Sequence, residues 1–209
     1  MLGAPFAATI LARIAARMRP MPKSATKTPT VVHIKVTLNE IRPAIWRRLR
    51  VPDSMNLGEL SMLIQAAMGW DGGHMHAFEI GGLQYGDPAW LEDGEDEDRM
   101  TIKKLVRDGF SRFAYTYDFG DNWEHTVLIE KKAPPPGSPQ APACVDGARA
   151  CPPEDCGGAP AYDELLAELA APDSPRRREL LESAGEDFDP EYFSHEEVNA
   201  RLESWSAKF

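Results

Sequence analysis

The chain has 209 residues, 43% of them hydrophobic and 9% aromatic, and its 23 Lys plus Arg against 33 Asp plus Glu give a formal charge of -10. That length suits one domain with appended segments better than two full domains, and no run approaches the roughly eighteen apolar residues of a membrane helix. The acidic balance argues against nonspecific binding along nucleic acid, which depends on neutralising phosphates.

Residues 1–30 read as a poorly ordered extension ahead of a single domain over 31–209. A secretory leader needs basic residues before its apolar core, and here Arg13 and Arg17 follow it. An arginine-bearing amphipathic presequence is the other reading, and Met18 and Met21 could each begin a shorter chain. From Thr30 the pattern becomes regular. Val32, Ile34, Val36 and Leu38 alternate with more polar neighbours as in a half-buried strand, and Ile45–Val51 reads as a second strand pairing back on it. Asn56 with Glu59 forms a capping-box pattern for a helix whose apolar face is Leu57, Leu60, Ile64 and Ala67, and Gly69 falls where a left-handed cap would end it.

His76, Phe78 and Ile80 share one strand face, and Gly81-Gly82 turns the chain into Leu83-Gln84-Tyr85. Between Asp87 and Asp98 lie seven acids and no base, which reads as a solvated loop; its oxygen spacing does not match an EF-hand. Thr101 opens a short helix over Ile102–Val106. Phe113, Tyr115 and Tyr117 then alternate, Asp118–Asn122 turns, and Trp123, His125, Val127 and Ile129 line the returning strand. From Lys131 to Pro160 the sequence reads as one long Pro/Gly/Cys loop. Helices return around Tyr162, Leu165, Leu166 and Leu169, after Ser174-Pro175, and after Ser194, where Val198, Leu202 and Trp205 form a stripe. Strands and helices mix without regular βαβ alternation. The fold class is therefore α+β: a mainly antiparallel sheet packed with helices, with C-terminal helices after the long loop.

All three cysteines, Cys144, Cys151 and Cys156, fall within thirteen residues of that loop. An odd count fits a reducing, cytoplasmic setting better than a disulfide scaffold. A closed zinc site needs four thiolate or imidazole ligands. Cys144, Cys151 and Cys156 supply three, at spacings of seven and five instead of the usual C-x2-C, and His125 is the expected fourth, with His74, His76 and His195 as substitutes. The same thiols also read as small buried hydrophobes, or as a redox or nucleophilic cysteine. Asp118, Asp121 and Asn122 suit hydrogen bonding to their own turn, or acid-base work in one cleft with His125, Glu154 and Asp155. The His74-x-His76 pair would put both imidazoles on one strand face.

Several motifs together resemble the plasmid pRiA4b ORF-3-like family. They are Pro43-Ala-Ile-Trp-Arg-Arg48, Ile64-Gln65 with Met68-Gly-Trp70, Tyr115-Thr-Tyr-Asp-Phe-Gly-Asp-Asn-Trp-Glu-His125, Ala150-Cys-Pro-Pro-Glu-Asp-Cys-Gly-Gly158, Asp189-Pro190 and Val198-Asn199. The resemblance spans about residues 31–205 and implies a small bacterial, archaeal or plasmid-borne α+β protein. Some members are labelled transposon passengers or resolvase-like, but no serine-recombinase pattern or helix-turn-helix is present here. The family supplies no catalytic roles.

Two functional classes follow. One is a binding or accessory module tied to mobile elements and stabilised by zinc, with a protein partner or a local nucleic-acid contact through Trp46, Arg47, Arg48 and Arg50; strand alternation splits those arginines between faces. The other is an enzyme built from His125, Asp121 and the Cys151–Glu154 region. In both, the cysteine loop forms one wall of a composite site and the Asp118–His125 hairpin the other.

Overall fold

A computed structural model describes residues 30–130, 139, 141–171, 175–185 and 187–206. The readings for residues 1–29, for 131–138 and 140 of the long loop, for Ser174 and for the side chain of Trp205 lie outside them. In chain order the elements are β1 (Val31–Leu38), β2 (Trp46–Pro52), α1 (Leu57–Met68), β3 (His76–Ile80), β4 (Leu83–Gly86), β5 (Glu95–Asp96), α2 (Ile102–Arg107), β6 (Arg112–Tyr117), β7 (Trp123–Ile129), β8 (Ala143–Ala148), α3 (Gly158–Ala170), α4 (Pro175–Ala184) and α5 (His195–Ser206). The strands form one eight-stranded sheet in the order β5-β4-β3-β6-β7-β1-β2-β8. Its pairings are antiparallel except β4 with β5.

Alternation decides which face is buried. Ile34, Val36 and Leu38 of β1, Leu49 and Val51 of β2, Tyr115 and Tyr117 of β6, and Trp123, His125 and Val127 of β7 are buried together with the apolar face of α1. Asn56 and Glu59 close both hydrogen bonds of the capping box, and Gly69 ends α1 in the left-handed conformation at φ 96°. On the buried side of α1, the Gln65 amide donates to Ser61 Oγ at 2.8 Å and to Tyr115 Oη at 3.0 Å, tying helix to sheet.

The last turn of α1 contains no basic residue, so its exposed carbonyls need cations from elsewhere. Arg47 of β2 donates to Ala67 O at 3.1 Å and Arg201 of α5 to Ala66 O at 3.3 Å. This explains why Arg47 sits buried on the core face of β2 while Trp46, Arg48 and Arg50 face the other way.

Two expectations change. The first six residues from Ala143 are a strand, not part of a loop, and pair antiparallel with β2. The prolines of the segment fall at 134–142 and at 152–160, on either side of these six residues, so Cys144 and Val145 remain free to extend. The outer edge of β8 is met by α5, whose Asn199 amide accepts from Cys144 N and donates to Cys144 O at 2.8 and 2.9 Å, as a neighbouring strand would. The acidic run is also not simply a solvated loop. Glu95–Asp96 forms β5 beside β4, and Glu97 is buried.

Candidate functional site

The cysteine loop and the β6–β7 hairpin do meet, along a seam built from backbone and carboxylate contacts. Trp70, just past α1, stacks on Tyr117 at 4.8 Å and donates its indole N–H to Pro152 O at 3.0 Å. Glu154 Oε1 accepts from Asp71 N–H at 2.8 Å and from Tyr117 Oη at 3.0 Å, while Glu154 Oε2 is buried with no hydrogen-bond partner. Burial pushes the Glu154 carboxyl above its ordinary range. Asp121 Oδ2 accepts from Gly157 N–H at 3.0 Å, closing the seam from the hairpin side.

His74 lies between the walls. Its Nδ1 is 3.6 Å from Asp118 Oδ2 and its Nε2 3.2 Å from Asp155 Oδ1. Asp118 and Asp155 both hold the left-handed backbone conformation, at φ 53° each, which non-glycine residues rarely adopt and which here turns both carboxylates toward one imidazole. Among the described residues this is the one set of three or more His, Cys, Asp or Glu side chains whose ligand atoms lie within 4.8 Å of one another.

The four residues expected to hold zinc are not brought to one point. Cys144 is buried at the β8 edge with its thiol toward Asp146 O at 3.3 Å. Cys151 is buried too; its thiol faces Met68 Sδ at 3.1 Å and accepts from Arg47 Nη2 at 3.1 Å. Burial raises both thiols despite the nearby Arg47, so neither is an activated thiolate. Cys156 is half-buried and is pushed up to about 11 by burial and by Asp121. His125 is fully buried against Trp70 and Tyr115; Nδ1 meets Tyr115 O at 3.3 Å and Nε2 has no partner. Burial lowers it to about 4, so it is a neutral ring in the core at neutral pH. Asp121 and Glu154 join the seam as acceptors, not as a pair of free carboxylates.

Beside the seam opens a cleft of about 550 Å³, lined by Met62, Gln65, His74, Met75, His76, Asp87 and Trp90 together with Gly72 and Gly73. Trp90 is 71% exposed there. His76 Nε2 lies 3.2 and 3.0 Å from the two oxygens of buried Glu97. The sequence pattern put His74 and His76 on one strand face, but β3 begins at His76 and His74 lies in the loop before it. Both imidazoles do line this cleft, but each takes a different carboxylate partner. For Trp90 the available signal was a tryptophan at the head of an acidic run.

The family model for the plasmid pRiA4b ORF-3-like protein matches residues 30–197. The chain belongs to the plasmid pRiA4b ORF-3-like family. It is 36% identical over 184 residues to uncharacterized protein y4hQ of Sinorhizobium fredii, covering 86% of this chain and 94% of that one. Its fold matches the crystal structure of the protein of unknown function MM3350 from Methanosarcina mazei, with a TM-score of 0.74 at 35% identity, over 81% of this chain and 98% of that one. In this pRiA4b ORF-3-like chain the motifs behind the resemblance converge on the seam: Trp70, Tyr117–Trp123 and Cys151–Gly158 touch one another there. The arginine motif has a different role. Arg48 is held by Glu130 and Asp146, and its guanidinium lies 5.2 Å from the Trp46 ring, opposite buried Arg47. No helix among the described residues is long and apolar enough to cross a membrane.

Proposed function

We propose that this protein is a non-enzymatic binding module that takes a basic, partly apolar segment of a protein partner into the cleft between α1 and the acidic run. The observation that carries this reading is Trp90, 71% exposed beside Asp87 at the mouth of a cleft with Met62 and Met75 in its walls. An exposed aromatic face with carboxylates around it attracts lysine and arginine side chains, and the methionines adapt to an apolar residue between them. Seven acids from Asp87 to Asp98 and a formal charge of -10 supply the complementary field. The plasmid in the family's name supports an accessory role on mobile DNA, and three unpaired cysteines suit the cytoplasm.

The test is calorimetric titration with short peptides carrying Lys or Arg around a central Leu, against acidic peptides of equal length, at two salt concentrations. Basic peptides should bind, more weakly at high salt, and Trp90→Ala should weaken them at least tenfold. Equal binding by Trp90→Ala, or none by the wild type, would overturn the reading.

One observation favours a second reading, an enzyme. His76, held through Nε2 by buried Glu97 and lining the same cleft, has the arrangement of a carboxylate-oriented general base. It serves that role better than His125, which is fully buried. Screening against ester, phosphoester and amide substrates, with His76→Asn alongside, tests it; turnover that survives His76→Asn removes this dyad from consideration.

A further inference from the structure

His74, Asp118 and Asp155 come from three separate stretches of chain: the loop before β3, the hairpin turn and the cysteine loop. Their ligand atoms lie within 4.8 Å of one another, with two carboxylates flanking one ring. Like charges so close favour a cation between them. Glu154, next in chain to Asp155, adds a third carboxylate, whose Oε2 is buried without a partner. We propose that these residues form a binding site for a first-row divalent cation such as Mn²⁺ or Zn²⁺, with His74, Asp118 and Asp155 as ligands.

One nitrogen and two oxygens select such ions over Ca²⁺ and Mg²⁺, which prefer all-oxygen shells. Metal–ligand bonds of roughly 2.0–2.2 Å require the set to draw together. Asp155, with 77% of its side chain exposed, is free to move inward, while Asp118 is anchored by Gly120 N–H on its other oxygen at 2.8 Å. Three protein ligands leave the remaining positions to water, the pattern of an open rather than a closed site. The ion would pin the cysteine loop to the hairpin at the wall of the cleft. It would offset the charge of Asp118 and Asp155 and leave the acids of 87–98 in place, so His74 is the residue that the site shares with the cleft.

Chelator-treated full-length protein is titrated with MnCl2 and ZnCl2 at near-neutral pH, without peptide, by calorimetry and thermal melting. One equivalent should bind with a rise in melting temperature, and His74→Gln and Asp155→Asn should each weaken binding tenfold or more. Glu92→Gln with Asp93→Asn, in the acidic run, should not. Since Asp155 is exposed, its variant keeps the fold, which circular dichroism checks. Co²⁺ loading distinguishes the ligand set: an N/O site has no intense sulfur-to-cobalt charge-transfer band, whereas thiolates give one. Absence of stoichiometric binding, loss of binding in the acidic-run variant, or a sulfur band removed by Cys156→Ser would each overturn the proposal.

Discussion

Gly158 faces the carbonyl oxygen of Asp121 so closely that a β-carbon on it would stand 2.5 Å from that oxygen. The cysteine loop can dock on the hairpin only because that β-carbon is missing. Gly158 also holds φ 78°, in the left-handed region.

Gly158→Ala therefore combines backbone strain with a clash against main chain that cannot rotate away. Gly82→Ala, at φ 84° with nothing within 4 Å, has the strain alone. Chemical denaturation should give a loss of about 1 kcal/mol for Gly82→Ala and roughly 3 kcal/mol or more for Gly158→Ala. Equal losses would mean the seam yields at no cost.

Arg47 and Arg48 are adjacent and should respond differently to lysine. Arg47 uses its fork on Ala67 O and Cys151 Sγ, both buried, and on Trp46 O and Ala148 O, both partly buried. A lysine cannot reach them together. Arg47→Lys should cost about 2–3 kcal/mol in denaturant melts, and Arg48→Lys, whose ion pairs are partly exposed, under about 1 kcal/mol.

His125 should make the fold acid-sensitive. The folded protein disfavours its imidazolium down to about pH 4, whereas the unfolded chain takes the proton near 6.5. Stability from this residue is thus full above about pH 6.5 and falls as pH drops toward 4, by roughly 3 kcal/mol in all. His125→Phe keeps a ring against Trp70 and Tyr115 but takes no proton. Between about pH 7 and pH 5 it should lose about 2 kcal/mol less stability than the wild type, measured by urea unfolding at each pH. Parallel pH profiles would remove His125 as the cause.

At the start of α1, Asn56→Ala breaks the hydrogen bond from Glu59 N–H at 2.7 Å and leaves the reciprocal bond unsupported. Thermal melts should show a loss of about 1 kcal/mol.

Much of the fold was legible because its signals are local. The capping box at Asn56 and Glu59, the glycine at 69, and the alternation through Phe113, Tyr115, Tyr117 and Trp123–Ile129 each depend on neighbours a few residues apart. Strand β8 was hidden because its pairing with β2 is long-range, and the prolines on either side of it dominate the composition. The site was half legible. That the cysteine loop and the hairpin form two walls follows from motifs rich in Asp, Gly and Trp. The zinc set was read from residue types and spacing, yet the chain aims Cys144, Cys151 and Cys156 at different neighbours.

By itself the sequence determined the α+β class, most of the secondary elements and the family, since periodicity, caps and turn residues are short-range properties of the chain. Only the tertiary structure decided that His74, from a loop with no periodic signal, stands between Asp118 and Asp155, and that His125 lies in the core. The physical reason is that which side chains share a cleft depends on sheet order and on where loops dock. Here the decisive docking is a glycine against a distant carbonyl, which no local pattern encodes.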